Sequence, residues 1–154
     1  MHDGENAEIY GKYADDLVRF ATALVGPTDA PDVVADAVIR ALSARSWPVV
    51  RDHRAYLTRS VLNEARMHHR ATLRRRAREA KAAGSDISYD AVPRPEVLAH
   101  VARLSLRQRA VVVLTYWDDL DQHAIAERLG ISAGSVRRHL ARAHAKLRRL
   151  LDDT

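Results

Sequence analysis

The sequence predicts an all-α protein of two small helical domains joined by a flexible linker, with residues 1–77 in the first, 78–95 as the tether and 96–154 in the second. Three observations carry this. Apolar residues recur at spacings of three and four wherever a segment is long enough to show a period, and no segment alternates as a strand does. Only six Gly and five Pro occur in 154 residues otherwise rich in Ala, Leu and Arg, which favours helix. Between Arg78 and Glu96 the run AKAAGSDISYDAVPRPE loses that period and gathers Gly84, Ser85, Pro93 and Pro95, the composition of a tether.

The elements follow in order. Leu17, Phe20, Ala21 and Leu24 line one face of a first helix that Gly26-Pro27 ends. A second opens near Asp29 with Pro31 in its first turn, where a missing N–H costs nothing, and carries Val34, Ala37, Val38, Ala41 and Leu42. Pro48 forces a loop after Trp47. A long third helix has Leu57, Val61, Leu62 and Ala65 on its apolar side and Arg59, Arg66 and Arg70 outward, and is expected to dissolve at LRRRAREAK. Beyond the tether, Ser105 can cap a helix through Ala110, Val113, Leu114 and Trp117.

The last third carries the most chemistry. Asp121 can cap a helix bearing Ala124, Ile125 and Leu129, Gly130 supplies the positive φ that stops it, Ile131 plugs the corner and Ser132 caps the next helix. There Val136, Leu140, Ala143, Leu147 and Leu151 form one apolar stripe, while Arg137, Arg138, His139, Arg142, Lys146, Arg148 and Arg149 occupy the other faces. This is the pattern of a helix-turn-helix with a basic second helix. Residues near the start of such a helix reach base edges and later ones meet phosphate, which nominates Ser135, Arg137 and Arg138 for the groove and Arg142 and Lys146 for the backbone, with Ser132 a further DNA-binding candidate.

Charge is distributed in blocks. Residues 1–50 carry −4, 51–83 carry +7, 84–121 carry −2 and 122–154 carry +4, within a net +5. Two basic blocks divided by an acidic stretch imply two contacts with a polyanion beside an acidic surface turned to something else. The chain has no cysteine, so disulfides, thiolate metal sites and a cysteine nucleophile are excluded. No metal and no cofactor are expected: His68 and His69 are adjacent and point about 100° apart on a helix, and Asp118, Asp119 and Asp121 sit at a helix start, where acids complement the dipole. No phosphate loop, nucleophile elbow or acid–base pair is present, so catalysis by the chain itself is not expected. With no signal peptide or membrane-spanning run, the expected location is the cytoplasm, without membrane insertion.

From about Tyr13 to Leu151 the sequence resembles the extracytoplasmic-function sigma factors, the small two-domain group of bacterial RNA polymerase specificity subunits. The run from Leu104, LSLRQRAVVVLTYWDDLDQHAIAERLGISAGSVRRHLARAHAKLRRLL, is similar to their region 4; TDAPDVVADAVIRAL from Thr28 is similar to region 2.2, and RAYLTRSVLNEAR from Arg54 to regions 2.3 and 2.4. The resemblance implies three contacts. Asp32, Ala35, Asp36, Val38, Ile39 and Arg40 would face core RNA polymerase, and the stretch from Trp47 to Arg70 would capture the melted downstream element of promoter DNA. The helix from Ser132 to Arg149 would read the upstream element. For the melted strand, Trp47 and Tyr56 offer stacking faces, Asn63 a base-pairing amide, and Arg59, Arg66 and Arg70 a phosphate track. An anti-sigma factor is the further partner implied. The sequence departs from the family where Ala35 and Val38 replace the usual Gln and Phe, and where Met67-His68 replaces Asp-Trp. A sigma-like decoy that binds only an anti-sigma factor, and a helix-turn-helix regulator independent of the polymerase, are the competing readings. The second leaves the acidic N-terminal half and the Asn63 helix without a role.

Overall fold

The computed structural model describes residues 2–83 and 96–153, and every regular element among them is helical. Helix α1 spans His2–Val25, α2 Ala30–Ser43 and α3 His53–Ala83, with a short 3₁₀ turn over Trp47–Val49. The second half comprises α4 (Glu96–Val101), α5 (Leu106–Tyr116), α6 (Gln122–Leu129) and α7 (Ala133–Asp152).

The helix ends lie where local chemistry puts them. Gly26 takes φ 89° and its N–H bonds to the Thr22 carbonyl, closing α1. Ser105 and Gln108 form a reciprocal capping box at the start of α5, the serine oxygen accepting from the Gln108 N–H at 3.2 Å and the glutamine oxygen from the Ser105 N–H at 3.1 Å. Asp121 caps α6 through the Ala124 N–H at 2.8 Å, Gly130 ends it at φ 68°, and Ser132 caps α7 through the Ser135 N–H at 3.0 Å. Asp29 behaves differently. It sits in α-helical backbone at the head of α2 with no side-chain cap, and its carboxylate instead meets His68 Nε2 of α3 at 3.1 Å.

One departure from the sequence reading bears on function. Helix α3 does not dissolve at the arginine run; it continues to Ala83, so the expected tether from residue 78 begins inside a helix. Arg and Ala are among the stronger helix formers, so the run LRRRAREAKAA needs no apolar face to remain helical at the end of an established helix. The rest of the tether, residues 84–95, lies outside the described residues.

Both helical domains of the sequence reading are present, and they pack against each other. Helices α1, α2 and α3 pack together, as do α5, α6 and α7, and then α1 and α3 lie against α5 and α6. One continuous core therefore runs from Leu17, Phe20 and Leu24, through Leu57 and Val61, to Val111, Leu114, Ile125 and Val136. A smaller cluster of Leu104, Val112 and Ala143 lies between α5 and α7. Among the described residues no buried side-chain nitrogen or oxygen lacks a hydrogen-bond partner.

Ser105→Ala is expected to cost about 1 kcal/mol of stability through loss of the α5 cap, read by urea denaturation, with Ser105→Thr close to the parent. Two histidines add a pH dependence. Burial, then Arg109 and Arg76, hold His69 below its ordinary value, and burial, then Arg107 and Arg142, do the same for His139. For a base whose folded pKa is depressed, the unfolded chain binds more protons, so this contribution is intact above the unfolded histidine value near 6.5 and is lost as pH falls below it. The drop in urea midpoint between pH 7.5 and 5.5 is expected to be smaller in the His69→Gln/His139→Gln double variant.

Candidate nucleic-acid interface

Helix α7 divides its faces sharply. Val136 and Ala143 are buried and Leu140 and Leu147 half-buried against the domain, whereas Arg137, Arg138, Arg142, Arg148 and Arg149 are exposed and Lys146 half-exposed. The capping serine begins a short chain of bonds into that surface. Ser132 Oγ donates to Ser135 Oγ at 3.1 Å, and Arg138 Nη2 donates to the same oxygen at 3.0 Å. Both acceptor positions of the Ser135 hydroxyl are thereby occupied, leaving its proton as the group it offers outward. Arg138 is in turn held over the first turn of the helix. The Ser135 hydroxyl proton and the Arg138 guanidinium thus offer donors here, a match for the acceptor edge of guanine or for phosphate. Burial, then the charges of Arg107, Arg142 and Arg138, keep the His139 imidazole below the ordinary histidine range.

A second basic surface lies between α2 and α3. An open groove of about 350 Å³ is lined by Arg40, Tyr56, Asn63, Glu64, Arg66, Met67 and Arg70, among others. It brings together four of the residues nominated for the downstream element, namely Tyr56, Asn63, Arg66 and Arg70. The two others are elsewhere. Trp47 is buried, 6% exposed, and its indole N–H donates to Asn6 Oδ1 at 2.9 Å. Its ring packs near His53 and Tyr56 and presents no stacking face, which corrects the sequence expectation. Arg59 points out of the groove toward α6, where Nη2 donates to the Glu127 carbonyl at 2.5 Å.

Sequence reasoning missed Glu64. It is 8% exposed at the groove floor and pairs with Arg40 Nε at 2.6 Å, balancing an otherwise cationic site. Between Arg54 and Arg78 it is the single acidic residue, a signal available in the sequence. The same pair changes the reading of α2. Asp32, Ala35, Asp36 and Ile39 are exposed on one helix face, with Ile39 64% exposed, whereas Val38 is buried in the core and Arg40 turns its guanidinium to α3. Val38 is thus corrected from a binding residue to a packing one. Met67 and His68 also have local partners: Met67 Sδ lies 4.0 Å from Arg40 Nη1, and His68 bonds Asp29.

Among the described residues no three His, Asp or Glu side chains gather as a metal site would require, and no helix is long and apolar enough to cross a membrane.

Comparison with known proteins accords with this geometry. The Sigma-70 region 2 family matches residues 9–77 and the Sigma-70, region 4 family matches residues 95–147. The RNA polymerase sigma-E factor of Streptomyces avermitilis is 33% identical over 148 residues, covering 90% of this chain and 80% of the relative. That of Streptomyces coelicolor is 33% identical over 144 residues, covering 87% and 78%. Among solved structures, CnrH in complex with the cytosolic domain of CnrY matches with a TM-score of 0.65 and 29% identity, over 96% of this chain and 88% of CnrH. The sigma factor RpoE in complex with the anti-sigma factor NepR from Bartonella quintana shares the fold with a TM-score of 0.65 at 20% identity, over 95% and 96% of the two chains. With a region 2 domain, a region 4 helix-turn-helix and relatives that match over most of both chains, the chain belongs to the extracytoplasmic-function sigma factors, which direct transcription initiation by RNA polymerase.

Proposed function

We propose that this sigma factor meets its partners through three surfaces. The outward face of α2, with Asp32, Ala35, Asp36 and Ile39, binds core RNA polymerase. The groove of Tyr56, Asn63, Arg66 and Arg70, joined by Arg59, takes the melted downstream element. The start of α7, with Ser132, Ser135, Arg137 and Arg138, reads the upstream element, and Arg142 and Lys146 bind its phosphates. The domain limits proposed are 1–77 for region 2, 78–95 for the connection and 96–154 for region 4.

The observation that carries this reading is the grouping of Tyr56, Asn63, Arg66 and Arg70 in one groove, a base-reading amide beside two phosphate-binding cations. The chain works as a binding subunit without a reaction of its own, in the compartment where the polymerase acts, the cytoplasm. The similar sigma factor RpoE is known in complex with the anti-sigma factor NepR, and CnrH in complex with the cytosolic domain of CnrY. An anti-sigma factor is the corresponding partner proposed here.

Titration against bacterial core RNA polymerase at physiological salt tests the reading. Stoichiometric binding is expected, and Ala35→Gln is expected to tighten it, because position 35 is exposed and a glutamine amide there adds up to four hydrogen-bonding positions. Absence of binding by both proteins would favour a decoy that engages only an anti-sigma factor. On upstream-element DNA, Arg138→Ala is expected to cost about 1–3 kcal/mol and relax sequence preference. Arg142→Ala is expected to weaken specific and random duplexes alike and reduce the salt slope. Ser135→Ala, which frees the Arg138 guanidinium, is expected to lose discrimination in the same direction as Arg138→Ala; fluorescence anisotropy at two salt concentrations reads all three.

A further inference from the structure

Helix α1 starts well ahead of the core it serves. Its first buried side chain among the described residues is Leu17, which lies three turns and about 16 Å beyond Asn6 at the helical rise. Ile9 and Tyr13 pack partly against the core, and the turns before them carry exposed or half-exposed side chains. Within that overhang Asn6 has a specific contact: its Oδ1 accepts the indole N–H of Trp47 at 2.9 Å. Asn6 also precedes residues 9–77, the part of the chain that the Sigma-70 region 2 family matches, so the contact uses a residue outside the family pattern.

Trp47 is the hub of the segment joining α2 to α3. Its backbone N–H donates to the Ala44 carbonyl and its own carbonyl accepts from the Val50 N–H, both at 3.1 Å, so the chain is wound tightly around it. Its ring centroid lies 4.8 Å from that of His53 and 5.7 Å from that of Tyr56, which it meets edge-on at 67°, a favoured arrangement for two aromatics. The Tyr56 hydroxyl lies 3.2 Å from Oγ of Ser46, the residue just before Trp47. Tyr56, a wall of the α3 groove, is thus held at its ring by Trp47 and at its hydroxyl by Ser46. A buried indole N–H needs an acceptor, and this one takes it from α1, 41 residues away in the chain. Without that oxygen the indole either stays buried and unpaired or turns toward water, and in turning gives up its place against Tyr56.

Resting on the assignment of the α3 groove to the melted strand, we propose that Asn6 is a positioning residue for single-stranded DNA: through Trp47 it fixes the Tyr56 ring in the orientation that stacks on a base. Ordering a side chain on binding costs affinity, and a ring already held in place avoids that cost. The gain is made on bases and not on phosphates, because stacking is a contact with the base face. Arg66 and Arg70 meet the phosphates from later turns of α3, outside the chain of contacts from Asn6 through Trp47 to Tyr56.

Fluorescence anisotropy of the full chain at a fixed salt concentration, with two probes, tests this. One probe is dT20; the other is an abasic strand of the same length, with the phosphates and no bases. Tyr56→Ala is expected to weaken dT20 binding roughly 5- to 150-fold, the range of one lost stacking contact, and to leave the abasic strand as in the parent. Asn6→Leu is expected to weaken dT20 about two- to tenfold, again sparing the abasic strand, and to cost nothing further in the Tyr56→Ala background. Trp47→Phe, which keeps a ring and removes the donor, is expected to reproduce the Asn6→Leu loss. Asn6→Asp, which keeps the acceptor, is expected to restore the parent's ratio of dT20 to abasic affinity. Equal losses on both strands for Asn6→Leu and Trp47→Phe would overturn the positioning role alone, as would dT20 binding unchanged by these two where Tyr56→Ala weakens it. Binding of dT20 unchanged by Tyr56→Ala would overturn the groove assignment, and the role of Asn6 with it.

Discussion

Leu114 and Val111 of α5 are as deeply buried as Leu17 and Leu57 of the first domain, and all four belong to one apolar core. The rest of the structure depends on that continuity. Burying apolar area between domains is the non-directional part of the attraction, and it brings α6 alongside α3. Two arginine-to-carbonyl contacts, from Arg59 to Glu127 and from Arg109 to Leu24, then supply the direction. Because Arg59 and Arg109 bond backbone at helix ends, their geometry is set by where α6 and α1 stop, which Gly130 and Gly26 decide. Two left-handed glycines at helix termini thereby influence the mutual placement of whole domains.

The groove on α3 is built around a buried acid in a basic helix. Glu64, paired with Arg40, ties α2 to α3 at the groove floor. Burying a carboxylate is costly unless it is paired and hydrogen-bonded, and Glu64 takes its partner from Arg40, whose own side chain stays largely in solvent. The pair also turns Arg40 away from the outward face of α2, leaving that face to Asp32, Ala35, Asp36 and Ile39. Where the family usually carries Asp-Trp, Met67-His68 occupies the next turn, and both side chains have found partners on or near α2: Arg40 for the methionine and Asp29 for the histidine. The departures are thus absorbed into the contact between α2 and α3.

Much of the fold was legible in the residues because its signals are short-range. Ser105, Asp121 and Ser132 cap the helices they precede, Gly26 and Gly130 end the ones they follow, and the stripe through Val136 and Ala143 faces inward as its spacing requires. The cationic face of α7 and the run of arginines on α3 were equally visible. Less legible was the extent of α3, since a charged, alanine-rich end carries no apolar period to mark it and yet remains helical.

What the sequence by itself determined is the set of helices, their inward faces and the two basic surfaces, all properties of residues within a turn or two of each other. What only the tertiary structure decided is the use of individual side chains on those helices. Trp47 and Tyr56 look alike as aromatic candidates, but only Trp47 is buried, with Asn6 of α1 receiving its N–H. Val38 and Ile39 are adjacent aliphatics, one in the core and one in solvent. Arg59, Arg66 and Arg70 share a helix face and a charge, but Arg59 alone reaches a carbonyl 68 residues away. Such outcomes depend on which helix arrives opposite, and that is settled by the summed burial of a core spanning both domains rather than by local spacing.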